Sequence, residues 1–302
     1  MDKYILSICI PTYNRAAYLD ESLRRIHRQY RTLDRSDAVE IIVSDNCSDD
    51  DTEAVVRRYT GDGLPVRYIR NSENLGMDGN FMQCFRLSQG RYAWLLGDDD
   101  YLKDGSLQWM VDMLSAEDYG LVHISAYPKQ KSIEYETCSE AAGFLQKINY
   151  WITFISGNVV STRYLMQTEV EKYKGTLFSQ VPIYLTAAIH GNRNAIVYRE
   201  ILESGLAMET NGGYNIFKVF VVNFLTIWKE QTAALPDNKR VYAGVKRVLY
   251  ENFLTCYIMR LLLKKNNTRF KTDGAWRILW RYYGLNLYSY TSLAKAVANK
   301  LL

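Results

Sequence analysis

Tyr92-Ala93-Trp94-Leu95-Leu96-Gly97-Asp98-Asp99-Asp100 passes within nine residues from an unbroken apolar run to three consecutive carboxylates. The run is short and rich in β-formers, as expected of a strand buried on both faces, and the glycine with its aspartates closes it. The same transition occurs three times upstream. Residues 5–10 run into Pro11-Thr12-Tyr13-Asn14-Arg15, residues 40–43 into Ser44-Asp45-Asn46-Cys47-Ser48-Asp49-Asp50-Asp51, and residues 66–69 into a polar loop over 71–76. Pro11 has no N–H to give a ladder, which predicts that the first strand stops before it. Helical spacing fills the gaps: Leu19, Leu23 and Ile26 at i, i+4 and i+7, then Ala54, Val55 and Tyr59, then residues 80–88. Ser48 or Asp49 is placed to cap the second of these helices. Strands alternating with helices on so short a period predict a mostly parallel sheet covered on both faces. Ligands of such sheets sit at the carboxyl ends of the strands. The polar clusters at 11–15, 45–51, 71–80 and 97–100 all fall on that edge.

Beyond residue 120 the pattern loosens. Residues 120–125, 155–161 and 195–198 read as further strands and 181–189 as a buried helix. From Tyr214 onward the spacing is helical, over 217–230, 240–264 and 275–283, with Pro236-Asp237-Asn238 separating the first two.

Composition narrows the class. The 302 residues are 48% hydrophobic and 23% charged, which excludes a disordered or fibrous chain. Five scattered cysteines (Cys9, Cys47, Cys84, Cys138, Cys256) without a CxxC pair argue against a disulfide framework or zinc site and for a reducing cytoplasm. The first residues do not read as a signal peptide, and no apolar run is long enough for a membrane span. A net charge of +4 conceals a division: residues 238–302 hold 13 Lys and Arg against Glu251 and Asp273, giving +11, and the rest of the chain is −7. An acidic body with a basic tail implies two surfaces with different partners.

Asp98, Asp99 and Asp100 repel one another, and a divalent cation, Mg²⁺ or Mn²⁺, would relieve the repulsion. The alternative is a solvated turn capping the next helix. Asp45, ending the second strand, can accept a hydrogen bond from a nucleobase or ribose, or form a capping Asx turn. Asn74, Gly76 and Asn80 form a loop whose glycine allows the backbone close to a phosphate or sugar. No GxGxxG or GxxxxGK[ST] is present, which disfavours dinucleotide and P-loop enzymes. His27, His123 and His190 are dispersed without metal spacing. His27 reads as surface, His123 as a satisfied core residue, and His190 as a cation at a helix end.

Taken together, Ile8-Cys9-Ile10-Pro11-Thr12-Tyr13-Asn14-Arg15, Glu40-Ile41-Ile42-Val43-Ser44-Asp45-Asn46-Cys47-Ser48-Asp49, Asn74-Leu75-Gly76 and Gly97-Asp98-Asp99-Asp100 resemble the family-2 glycosyltransferases of GT-A fold. The four motifs occur in the family's order over residues 5–107, with weaker likeness through Ser156-Gly157-Asn158-Val159-Val160 and Arg163 to about residue 205. Asn74-Leu75-Gly76 and the triple Asp are similar to those of O-antigen deoxyhexosyltransferases of the abequosyltransferase kind. The resemblance implies a GT-A domain over residues 1–212, followed by a basic helical region over 213–302. It implies a nucleotide-sugar donor, with Pro11, Thr12, Tyr13, Asn14 and Arg15 around base and ribose, Asp45 on the base and Asp98 on the ribose. The family's Asp-x-Asp motif holds a metal on the donor diphosphate. Counting back from Leu107 puts Gly97 and Asp99 at its two positions, whereas a literal reading takes Asp98 and Asp100. All three aspartates are therefore candidate ligands, Asp99 and Asp100 foremost. The family's catalytic base falls on Gln180, which cannot take a proton. Glu169, Glu171, Glu203 or Glu209 would have to substitute, or the transfer would retain configuration.

The expected activity is metal-dependent transfer of a sugar to a bacterial surface glycan, an O-antigen or capsule, on an acceptor carried by lipid. A nucleotidyltransferase and a catalytically inactive glycan-binding module are the rivals. In the tail, Trp276, Trp280 and Tyr283 lie at i, i+4 and i+7 beside Arg277 and Arg281, with Lys264, Lys265, Arg269 and Lys271 just before them. Such a helix suits an anionic membrane surface, on the inner face of the plasma membrane. It equally suits packing of its aromatic face onto the catalytic domain. No nucleic-acid module accompanies the charge.

Overall fold

A computed structural model describes residues 4–125, 132–205, 212–263 and 269–301. Contacts divide the chain into two compact units, one of Met1–Phe144 with Trp151–Ala207, the other of Leu145–Tyr150 with Met208–Leu302. The first unit is the expected α/β sheet. Its strands are β1 (Tyr4–Thr12), β2 (Val39–Asp45), β3 (Val66–Arg70), β4 (Gly90–Leu95), β5 (Asp100–Leu102), β6 (Leu121–Ile124), β7 (Tyr135–Cys138), β8 (Asn158–Ser161), β9 (Asn194–Val197) and β10 (Leu202–Ser204). Eight of them form one sheet in the order β3-β2-β1-β4-β8-β6-β9-β7, and β5 pairs with β10 apart from it. β1 to β4 are mutually parallel, whereas β8 runs antiparallel to both β4 and β6 and β7 antiparallel to β9. Chain order reverses between β1 and β4, the crevice in which open α/β sheets bind ligands.

Helices α1 (Ala16–Tyr30), α2 (Thr52–Gly61), α3 (Gly76–Leu87), α4 (Ser106–Ala116), α5 (Ala141–Ile148) and α6 (Val181–His190) connect the strands. Leu19, Leu23 and Ile26 of α1 are fully buried in one core with Ile8, Ile10, Ile41 and Trp94 of the sheet. Helices α4 and α5 and the short strands β5, β7 and β10 were not read from the sequence, although Leu107, Met110, Val111 and Leu114 of α4 lie at i, i+3, i+4 and i+7.

Two local expectations are corrected. β1 does not stop before Pro11 but continues to Thr12. Cys9 O accepts the Leu96 N–H from the β4 side, and Thr12 O accepts the Asn46 N–H from the β2 side, each at 2.9 Å. Alternate residues face opposite neighbours, so Pro11 faces the β4 side, where the register has already ended at Cys9 opposite Leu95. No ladder bond is lost there, and β2 carries the strand onward. The entrance to α2 is held by neither Ser48 nor Asp49. Asp50 accepts the Thr52 N–H on Oδ1 at 3.1 Å and the Ala16 N–H on Oδ2 at 2.8 Å, tying α1 to α2.

The second unit is helical: α7 (Phe224–Gln231), entered through a π-turn, α8 (Asn238–Leu249), α9 (Thr255–Leu262), α10 (Ala275–Tyr283) and α11 (Leu287–Leu301). Its core gathers Phe224, Trp228, Val241, Val245, Leu249 and Tyr283. The Tyr250 ring lies 4.8 Å from Tyr283 and 6.1 Å from Tyr288 between centroids, so part of the high tyrosine content is core packing. No helix among the described residues is long and apolar enough to cross a membrane.

Candidate active site

The three aspartates do not converge. Asp98, 3% exposed, is held at the end of β4 by Thr12, whose hydroxyl donates to Oδ2 at 2.8 Å. The Arg15 guanidinium spans two carboxylates, with Nε 3.3 Å from Asp98 Oδ1 and Nη2 2.7 Å from Asp99 Oδ2. Asp100 turns the other way, accepting the Ser156 hydroxyl on Oδ2 at 2.6 Å. Burial pushes the Asp98 carboxyl up to about 7 against the opposing pull of Arg15 and Thr12. It pushes Asp100 up to about 6, with Ser156 pulling it down and Asp99 adding to the rise. Asp99 is the one of the three that is partly open to solvent.

Gly97 shapes the space between them. A Cβ built on it would stand 3.0 Å from Asp100 Oδ2, 3.2 Å from Asp99 Oδ1 and 3.2 Å from Ser156 Oγ. Only a glycine leaves room there, and the three atoms nearest to that position are oxygens, a donor set that suits a hard divalent cation. One or two carboxylates with substrate phosphates are enough for Mg²⁺. Among the described residues no three acidic, His or Cys side chains are arranged to hold a metal by themselves. The residues therefore fit a cation shared with a phosphate ligand and not a protein-only cage. Asp98, sealed by Thr12 and Arg15, is withdrawn from the expected ligand set.

A second wall forms around Asp45, which is 1% exposed. Its Oδ1 accepts the Ser48 N–H at 2.9 Å, the Asx turn foreseen for it, and its Oδ2 accepts the Tyr68 hydroxyl at 2.6 Å. Arg70 Nε approaches the same oxygen at 3.7 Å, while its Nη2 donates to Ser48 O at 2.8 Å. Tyr68 and Arg70 escaped the sequence reading. Their signal was their i, i+2 spacing at the end of β3, which puts both on one face. Only the register, Asp45 opposite Arg70, reveals that the face is that of Asp45.

Asparagines tie the loops into one edge. Asn14, in the left-handed region at φ 51°, gives its N–H to Ser48 Oγ at 2.9 Å and accepts the Asp49 N–H at 2.8 Å. Asn46 donates to Asn74 Oδ1 at 2.7 Å and accepts the Leu75 N–H at 2.9 Å. Gly76 needs its glycine, with φ 71° at the head of α3. Asn80 is brought beneath the edge: its Oδ1 accepts from Ser44 and Asn71, and its Nδ2 donates to Ser44 O. Pro11 is buried, whereas Tyr13, Asn14, Asn74 and Gly76 are exposed along the rim.

Gln180 stands at the N-terminus of α6, 1% exposed, with Oε1 buried and without a hydrogen-bond partner. Of the substitutes considered for a base, Glu203 pairs with Arg25 at 2.7 Å and Glu171 with Arg86 at 2.9 Å, while Glu169 is exposed. Glu209 lies outside the described residues. Asp78 also escaped notice, although it accepts the N–H groups of Gly175, Leu177 and Ser179 at 2.8–3.2 Å and so shapes the loop before α6. His123 is the satisfied core residue expected, 3.0 Å from Asn158 Oδ1. His27 rests edge-on against Tyr59, and His190 is exposed at the end of α6.

Residues 7–173 match the glycosyl transferase family 2. The chain is 41% identical over 115 residues to the abequosyltransferase RfbV of Salmonella typhimurium, covering 37% of this chain and 33% of that protein. It is 35% identical over 107 residues to the GalNAc(5)-diNAcBac-PP-undecaprenol beta-1,3-glucosyltransferase of Campylobacter jejuni, covering 35% and 33% respectively. Both matches span about a third of the relative's length. In fold it is similar to S. aureus TarS 1-349 in complex with UDP-GlcNAc, with a TM-score of 0.60 at 17% identity over 98% of this chain and 80% of that one. The mostly parallel sheet with its flanking and C-terminal helices is of the GT-A kind.

Proposed function

The chain belongs to glycosyl transferase family 2, and on that premise we propose that it transfers a sugar from a nucleotide-sugar donor to a bacterial surface glycan of the O-antigen type, on an acceptor carried by lipid. The observation that carries this reading is the meeting of Asp45, Arg15, Asp98 and Asp99 at the carboxyl ends of β1, β2 and β4, where the strand order reverses. Asp45, fixed by Ser48 and Tyr68, is the group for the base.

A divalent cation is part of the same proposal, with Asp99 and Asp100 as the residues that would hold it beside Gly97. When bound, such an ion neutralises the charge that develops on the departing diphosphate. Arg15 holds the carboxylates in register and limits their mutual repulsion, as its contacts with Asp98 and Asp99 indicate. Gln180 donates and accepts hydrogen bonds but takes no proton, so the role open to it is to orient an acceptor hydroxyl. That glutamine also supports a second reading, a module that binds the donor or glycan without turnover.

Calorimetric titration with UDP, GDP, CDP and dTDP, each with and without Mn²⁺, tests the donor site. Tight binding of one nucleotide, strengthened by Mn²⁺ and lost in Asp99→Ala, is the expected result. Binding of none of them by the folded chain would refute the transferase reading. Donor binding without release of the nucleotide on a panel of lipid-linked glycans would favour the module.

A further inference from the structure

We infer that the outward faces of α10 and α11 form a docking surface for an anionic lipid membrane. Helix α10 packs through Ala275, Leu279 and Tyr283, all buried at i, i+4 and i+8. The tryptophans beside that stripe are not packed: Trp276 is 54% and Trp280 68% exposed. Of the three aromatics Tyr283 alone is buried, and it packs against Tyr250 and Tyr288 of the helical unit. One turn separates the two indoles, and Arg277 and Arg281 lie exposed alongside them.

Exposed apolar residues continue along the chain past the end of α10. Leu285 is 95% and Leu287 77% exposed, and α11 then presents Tyr290, Ala294 and Val297 with Leu287 at i, i+3, i+7 and i+10, all exposed. Residues of that spacing share one helical face. From Ala275 to Leu301 the sequence has Arg277, Arg281, Lys295 and Lys300 and no acid.

Exposed tryptophan and leucine flanked by basic groups match a lipid interface, where indoles settle at the headgroup level, apolar side chains enter the acyl boundary and arginines meet phosphate. A second copy would bring two basic tails, each +11 over residues 238–302, against each other. A nucleic-acid backbone would engage the arginines and leave the apolar face in water. With no described helix able to span a bilayer, the attachment is in the plane of the surface. Lys264 and Lys265, also expected to add charge, lie outside the described residues.

The test is co-sedimentation of the full chain with vesicles of phosphatidylcholine alone and of phosphatidylcholine with equimolar phosphatidylglycerol, with tryptophan emission recorded in parallel. Phosphatidylglycerol vesicles should bind the chain at least about tenfold more tightly, shift its emission to the blue and release it at high salt. Trp276→Ala/Trp280→Ala should weaken binding about tenfold or more, and Arg277→Gln/Arg281→Gln should abolish the preference for the anionic lipid. Leu285→Ser/Leu287→Ser probes the same face at residues too exposed to upset folding. No partition onto phosphatidylglycerol vesicles at low salt would overturn the inference. So would unchanged binding by all three variants, or a dimer in solution that the tryptophan variant dissociates.

Discussion

Ser156 donates its hydroxyl to Asp100 Oδ2 at 2.6 Å and accepts the Gly97 N–H at 2.8 Å, so one side chain fixes both ends of the turn that carries the three aspartates. Its own carbonyl accepts the Trp94 indole N–H at 2.8 Å, which anchors it to the core. Ser156→Ala leaves a buried N–H and a buried carboxylate oxygen unpaired. The expected cost is about 2–3 kcal/mol in denaturant unfolding, and a loss below about 0.5 kcal/mol would show that the turn holds without it.

Arg15 is the counter-charge for Asp98 and Asp99. Removing it in Arg15→Gln leaves two adjacent carboxylates, one of them desolvated, without a counter-charge, although Thr12 still donates to Asp98. The variant should lose about 1–2 kcal/mol, less than a fully buried pair would because Arg15 is partly solvated. Mn²⁺ should then raise the melting temperature of the variant more than that of the parent, since a ligand stabilises the fold it binds. Equal shifts in thermal melts would mean that the ion does not compete with Arg15 for these oxygens.

His123 sets an acid limit on stability. Desolvation holds its pKa down at about 4, against the small opposing effect of the Asn158 hydrogen bond. An unfolded histidine titrates near 6.5, so between those values the unfolded chain binds more protons and stability rises with pH. The contribution, up to about 3 kcal/mol, is complete above pH 6.5 and lost as pH falls toward 4. Asp98 and Asp100 act oppositely: their raised values contribute stability at acid pH that disappears as pH climbs through about 6 to 7. Unfolding free energies of the parent minus those of His123→Gln, measured from pH 4 to 7.5, isolate the histidine. A flat difference across that range would refute the assignment.

The strand-to-loop transitions at Asn71 and Gly97, and to within one or two residues those after Thr12 and Asp45, were legible because periodicity and turn chemistry are local. An apolar run of five or six residues declares a strand wherever it lies, and parallel strands alternating with helices must send their polar ends to one edge. Sequence alone therefore determined the sheet, the edge on which Asp45 and the three aspartates meet, the core role of His123 and the basic helical tail.

Only the tertiary structure decided which of those groups remain available. Asp98 is sealed and Asp99 open because Thr12 and Arg15, on another strand and loop, reach one and bridge to the other. Tyr68 and Arg70 belong to Asp45 through strand register, Ser156 commands the Asp100 turn from 56 positions away, and Trp276 and Trp280 are exposed while Tyr283 of the same helix is buried. A side chain's type and spacing are written in the chain, but its ionisation, partners and exposure depend on neighbours that chain folding brings together. Burial and charge act through space, and local pattern does not report that distance.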